Sequence, residues 1–253
     1  EREHAEWGIE AWTPESFQPG PMEADEIVAL YPRRYVEGME LPFIFYAYSN
    51  GQRVVGYGQG HCETSGEYFS IKYGEGSVLL SGESLFGTHT FTFDDTPLQL
   101  EVEQHNETIS ELSGTIAENL VVGENSAVHI TGDLSIPAGF SMTVEAGAII
   151  LIDEAVNIYT EGPITLQGTA DNPIVVTSAR AGKYWGGFFA EVATADIRGS
   201  YAIFCRSGYD DTGGSSTWGH AKRQALFRTS GNTIELDHCY MTDHIGQIFY
   251  PIN

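Results

Sequence analysis

The sequence predicts an all-β protein, and three observations carry that reading. From Ser113 to Phe188 short apolar pulses recur between glycine, proline and asparagine turns. Upstream, seven further short runs have strand composition, with turn residues between them at roughly ten-residue spacing. No helical period longer than a turn or two is present anywhere. The pulses Val128/Ile130, Leu134/Ile136, Met142/Val144, Ile150/Ile152, Val156/Ile158, Ile164/Leu166 and Val175 sit at strand spacing, apolar side chains inward and polar ones outward. Each is too short to build a core alone, so the pulses are expected to stack into a coil.

Three segments follow in order. Residues 1–21 read as an extended arm: Pro14, Pro19 and Pro21 argue against a helix, and Trp7, Trp12 and Phe17 are expected to pack on the body. Residues 22–104 read as an immunoglobulin-like β-sandwich. Its candidate strands are 27–31, 41–48, 53–57, 68–73, 77–80, 88–93 and 98–103, the last with Leu98, Leu100 and Val102 inward. Residues 105–253 read as the stacked coil, with an insertion of loop-forming residues over 209–223. After the strand-like Gly246–Ile252 run the coil would leave apolar strands uncapped. The expectation is therefore a longer chain, or a second polypeptide that completes the coil.

A net charge of −23 disfavours nucleic acid and anionic membranes as partners. No window approaches the roughly 20 apolar residues of a membrane span. The balance favours a soluble extracellular protein, with calcium the one cofactor suggested. Between Tyr73 and Ala179 there is no Lys or Arg against 16 Asp and Glu, whereas Arg180 to Arg228 holds seven basic residues and four acidic ones. Those seven either solvate the coil surface or form a locally positive face for an anionic ligand.

Cys62, Cys205 and Cys239 are an odd count without metal spacing. Cys205 and Cys239 lie in similar contexts and could stack on neighbouring coils. Two buried thiols are favoured over a disulfide, whose geometry stacked neighbours meet only with adjustment.

The phrase GDLSIPAGFSMTVEAGAII, followed by ITLQGTADNPIVVTS and WGGFF, resembles the right-handed parallel β-helix proteins of the pectate-lyase-like superfold. The likeness is nearest to large secreted or surface-attached bacterial proteins and covers roughly residues 113–253. Pro137-Ala138-Gly139, Gly168-Thr169, Asn172-Pro173-Ile174 and Trp185-Gly186-Gly187 are its most specific elements. It implies the fold and leaves the function open, because this superfold hosts lyases, hydrolases, adhesins and inert stalks. The residues support it physically. Pro137 fixes a turn, Gly139 and Gly147 permit left-handed corners, and Asn172 before Pro173 is held extended into the next strand. Trp185 reads as a buried wedge rather than a sugar platform.

Lyases of this superfold take a proton next to a uronate carboxylate, which requires a neutralising cation and a base. The insertion is where those groups would lie. Asp210 and Asp211 could share a calcium ion through oxygen ligands. Arg206, Lys222 and Arg223 could hold carboxylates, Trp218 could stack on a sugar, and His220 could act as base. Asp237-His238-Cys239 with Asp243-His244 invites a metal reading, but consecutive residues in a coil alternate or sit at corners and do not converge on one ion; Asp237 and His238 read as a corner, Cys239 and Met241 as inward positions. A glycosidase pair could come from Asp210, Asp211, Asp237 and Asp243.

The leading reading is a secreted or cell-surface structural or adhesive protein, non-catalytic, whose elongated β-helix binds acidic glycans. The alternative is a polysaccharide lyase or hydrolase acting on an anionic polysaccharide. A third reading, a subunit of an extracellular filament or larger surface complex, follows from the uncapped end.

Overall fold

In the computed structural model the described residues are 23–94, 96–209, 216–217, 220–221 and 225–252, and they are all-β. The whole of the expected arm, residues 1–21, lies outside them, as do Asp210, Asp211, Trp218, Lys222 and Arg223.

The first half is an antiparallel module but for its last strand pair, which is parallel. Its strands are β1 (Glu26–Leu30), β2 (Arg34–Tyr35), β3 (Leu41–Ser49), β4 (Gln52–Arg53), β5 (Tyr57–Cys62), β6 (Tyr68–Lys72), β7 (Glu75–Leu80), β8 (Gly87–Phe93) and β9 (Thr96–Gln104). Hydrogen bonding runs in one path, β1-β3-β7-β6-β5-β8-β9-β2, with β4 hairpinned onto β3. β5, β6 and β7 form a meander and β3 returns beside β7, a Greek-key arrangement. The sheet folds over so that β3 faces β8: the ring centroids of Phe43 and Phe45 lie 4.7 and 4.8 Å from that of Phe91. Leu100 and Val102 point inward, as their alternation predicts.

One strand departs from the sequence reading. The expected run 53–57 is instead the short β4 and the start of β5, Tyr57–Cys62, which two glycines had disguised. Gly60 faces the core opposite Phe69, and a Cβ there would overlap the Phe69 ring. That ring is itself held by Phe45, Phe91 and Phe93. The missing side chain is thus supplied by the neighbouring strand.

The second half is a parallel β-helix. It opens with β10 (Ser110–Thr115) beside β12 and then winds through three faces. The first face stacks β11 (Leu120–Val122), β13 (Met142–Glu145), β16 (Ile164–Gln167), β19 (Ile197–Ser200) and β24 (Ile234–Asp237), all parallel. The long β12 (Ala127–Ile136) serves the other two faces. Its first part starts the second face, continued by β14 (Ile149–Ile152), β17 (Ile174–Ser178), β20 (Ala202–Cys205) and β25 (Tyr240–Thr242). Its second part starts the third face, continued by β15 (Ile158–Thr160), β18 (Phe188–Ala190), β23 (Ala225–Thr229) and β26 (Gln247–Pro251). Between β20 and β23 the residues Ser216–Thr217 (β21) and His220–Ala221 (β22) pair as a small antiparallel hairpin.

Inward positions form one continuous apolar core, from Val122, Val144 and Ile152 to Phe204 and Phe227. The corners use the expected devices. Gly139 and Gly147 adopt φ of +89° and +71°. At Gly147 a Cβ would overlap Asn172 and Asn125, whose side chains bond to each other at 2.9 Å across coils. Trp185 is fully buried, donates Nε1–H to the Cys205 carbonyl at 3.0 Å and meets Phe188 edge-on.

The second face carries a feature that simple alternation does not predict. Its outward residues Ala127, Ile149, Leu151, Val175, Ile203 and Cys205 are buried too, in the core of the antiparallel module. β14 and β20 are therefore buried on both sides, which is why IILI and AIFC read as continuous apolar runs. Val175, expected to point into the coil, points into this seam, while Ile174 and Val176 line the coil. The cysteines follow from the same geometry. Cys205 stacks on Thr242 and faces the seam, whereas Cys239 lies at the corner between β24 and β25 and packs against the coil core. All three cysteines are free; Cys205 is buried as expected and Cys239 only half-buried. Burial pushes the Cys205 thiol up to about 12.

Two outcomes test this packing by chemical denaturation. Val175→Asp places a carboxylate in a dry seam and should cost several kcal/mol, whereas Val121→Asp, at a position 59% exposed on the first face, should stay within about 0.5 kcal/mol. Gly60→Ala should cost about 1–3 kcal/mol through overpacking against Phe69.

Candidate ligand-binding face

The seam decides which coil surfaces can meet a ligand. The module covers the second face; of the other two, the third packs Tyr159, Phe189 and Arg228 against one another, and the first exposes the more polar, open surface. Its outward residues stack in register across strands spaced about 4.8 Å apart. One column is Val121, Thr143, Thr165, Arg198 and Glu235; the next is Glu145, Gln167, Ser200 and Asp237. Thr165, Gln167, Arg198, Ser200, Glu235 and Asp237 line a shallow depression over the last three strands.

This ladder supplies hydroxyls, an amide and carboxylates, with Arg198 as its one guanidinium among the described residues. Arg198 is itself engaged, with Nε 3.0 Å from Glu235 and Nη2 3.7 Å from Asp196. The other ion pairs of this region are similar. Lys183 lies 3.0 Å from Glu154, and Arg228 lies 2.5 Å from Glu191 with its guanidinium over the Phe189 ring. Four of the five described basic residues between Arg180 and Arg228 thus sit in ion pairs. They do not assemble a positive face.

Arg206 is the most heavily engaged of them. It occupies the corner after β20 in left-handed backbone, φ +57°, which turns it toward the module. There it grips Glu40, a carboxylate only 3% exposed. Nη2 donates to Glu40 Oε1 at 2.7 Å, and Nε closes the second half of the fork to Oε2. Nη1 donates to the Tyr184 hydroxyl at 2.6 Å and lies 2.7 Å from Asp243. Ser81 donates a further bond to Glu40 at 3.1 Å. Burial alone would lower the Arg206 pKa, but Glu40, joined by Asp243, outweighs it and holds the guanidinium above its ordinary value. In this geometry Arg206 ties the coil to the module, and its donors already have intramolecular acceptors.

Of the other expected site residues, His220 is described only in its backbone, which pairs with Thr217 in the β21–β22 hairpin. Asp210, Asp211, Trp218, Lys222 and Arg223 lie outside the described residues, so the calcium pair is among them. Asp237 ends β24, His238 turns the chain, and Tyr240–Thr242 is already β25, so this stretch spans one corner and one strand. His238, at φ +51°, contacts Asp237 at 2.8 Å and stacks on Tyr201, while His244 turns to Ser207 at 2.9 Å. Among the described residues no group of three or more His, Cys, Asp or Glu is arranged to hold a metal ion.

The ladder was missed by a reading that looked for chemistry in the insertion. Its signal is nevertheless in the sequence. The segments MTVE, ITLQ, IRGS and IELD are four copies of one strand template whose second and fourth residues face solvent.

A family model described as a pectate-lyase-like beta helix domain matches residues 114–200, about a third of the chain. No curated protein and no solved structure matches the chain.

The two arginines should respond oppositely to truncation. Arg198→Ala, an exposed pair, should change stability by no more than about 1 kcal/mol. Arg206→Ala leaves Glu40 buried without its partner and should cost about 3 kcal/mol or more. Urea denaturation of both variants reads the difference.

Proposed function

We propose that this protein is an extracellular or cell-surface glycan-binding element, non-catalytic, in which the module braces the β-helix and the open first face engages an extended polysaccharide. The observation that carries the reading is the in-register ladder from Thr143 to Asp237 on a broad polar coil face that the module leaves open. An extended, flat, polar surface suits a polymer better than a small metabolite. The likeness to pectate-lyase-like β-helix domains supports a polysaccharide-related or surface role and an extracellular location.

The charges on the ladder refine the polymer. Glu145, Glu235 and Asp237 outnumber Arg198, whose charge is already shared with two carboxylates. A uronate-bearing chain would meet repulsion here unless calcium bridged the carboxylates. A neutral polysaccharide meets only hydrogen-bonding groups. The face therefore favours a neutral glycan, and an acidic one only with calcium.

Affinity electrophoresis in gels containing neutral glucan, xylan or polygalacturonate, with and without calcium, tests this. Size analysis of each polymer after incubation completes the experiment. The expected result is retardation by a neutral polymer of unchanged length, reduced several-fold by Thr165→Ala/Gln167→Ala with the melting temperature intact. Shortened polymer would establish a lyase or hydrolase instead. Retardation that ignores the double substitution would place binding elsewhere.

A further inference from the structure

The module has a surface that bracing the coil does not use. On the outer side of β6, β5 and β8 the cross-strand neighbours Tyr68, His61 and Thr92 form one row. Ser70 and Gln59 pair in the next, toward Asp94 at the end of β8. Tyr68 is 72% exposed, the second most exposed large apolar-bodied side chain of the described residues. It is not loose: its ring lies on the His61 imidazole at 4.2 Å between centroids and 23° between planes. The sheet therefore holds one face of a phenol ring against a partner and turns the other to solvent.

Around this ring stand groups that accept and donate hydrogen bonds. Gln59, Glu63, Thr92 and Asp94 line a cleft with Tyr68 and His61. Thr92 donates to Glu63 at 2.6 Å, which fixes one carboxylate at the rim. Gln59 and Asp94 also line a second cavity, about 320 Å³, floored by Ile27, Val54, Ile71 and Phe93. Ile71 and Phe93 face the core, so that cavity lies toward the inner side of the sheet, and the cleft around Tyr68 is a shallow groove of its own on the outer side. No Lys or Arg lines either of them among the described residues.

We propose that this groove is a second binding site, for a neutral oligosaccharide, with Tyr68 as its stacking platform. The apolar face of a pyranose matches an exposed aromatic ring backed by a second ring. Its hydroxyls, uncharged donors, find strong acceptors in the Glu63 and Asp94 carboxylates and a two-way partner in Gln59. The same carboxylates repel uronates and sulfated sugars. The site is separate from the coil ladder and does not depend on it: Tyr68 and Arg198 lie in different halves of the chain, and each can be changed without the other.

The test is calorimetric titration of the whole protein with cellohexaose, xylohexaose and mannohexaose, with hexagalacturonate and an oligolysine as charged controls, at low and high salt. One of the neutral hexasaccharides should bind, with an affinity that salt leaves unchanged. Tyr68→Ala should weaken it by about tenfold or more, and Tyr68→Phe, which keeps the ring, by no more than about threefold. Thr165→Ala/Gln167→Ala should leave it unaltered, which separates this site from the ladder. Both Tyr68 variants should melt with the parent, since the side chain is exposed. Failure of all three neutral probes to bind overturns the proposal. So does binding that Tyr68→Ala does not weaken. Salt-sensitive capture of the oligolysine alone, lost in Tyr68→Ala, would overturn it in favour of a site for cationic peptides.

Discussion

The structure depends on a β-helix face that is apolar on both of its sides. An isolated coil needs only inward apolar residues, and its outer surface can be polar. Here Ala127, Ile149, Leu151, Val175 and Ile203 face away from the coil axis and complete the core of the antiparallel module. Each large side chain removed from water there contributes on the order of 1.5–3 kcal/mol, so the two halves share one core rather than touching at a rim. Polar bonds then set the register of the seam. Arg33 and Arg34 donate to the carbonyls of Asp171 and Asn125, Ala181 donates to the Gly38 carbonyl, and Arg206 clasps Glu40. A buried guanidinium–carboxylate fork is a poor source of net stability compared with apolar packing. What it does well is penalise every alternative placement that would leave either charge unpaired.

The cations of this very acidic chain are mostly engaged within the fold, at the seam and away from it. Arg34, Arg53, Lys183, Arg198, Arg206 and Arg228 all lie beside carboxylates. With so few positive charges, those spent on holding the fold are not free to recruit an anionic ligand. The surplus negative charge is left on open faces, where it favours uncharged partners or partners that bring their own cation.

Much of the coil was legible because its signals are local. Strand-spaced pulses, Pro137, the corner glycines and Asn172-Pro173 each constrain their own neighbourhood, and Trp185 is too large and apolar to stay outside. The misreadings share a different cause: each depends on what another segment does. Val175 belongs to the seam only because the module lies there. β5 was obscured because Phe69 occupies the space that a side chain at Gly60 would need. Arg206 looked like a free cation because Glu40 is distant in sequence and buried. The ladder was hidden differently, since its residues are ordinary and only their stacking gives them a joint surface.

Burial along the coil is graded, and the gradient has a mechanical consequence. The middle strands β14, β17 and β20 are buried throughout, whereas β24, β25 and β26 are half-buried or exposed at every position. Phe249 stacks on Phe227 at 5.4 Å yet remains 49% exposed. A coil flanked on both sides is held by two ladders of hydrogen bonds and two apolar layers; β24, β25 and β26 each pair with one neighbouring strand among the described residues. Local opening in stacked structures begins where neighbours are fewest. On the first face β13, β16 and β19 each pair on both sides, and the ladder's polar residues from Thr143 to Ser200 stand on that doubly paired stretch. A polymer lying along it would gain its firmest contacts over β13, β16 and β19, whose strands are held by ladders on both sides.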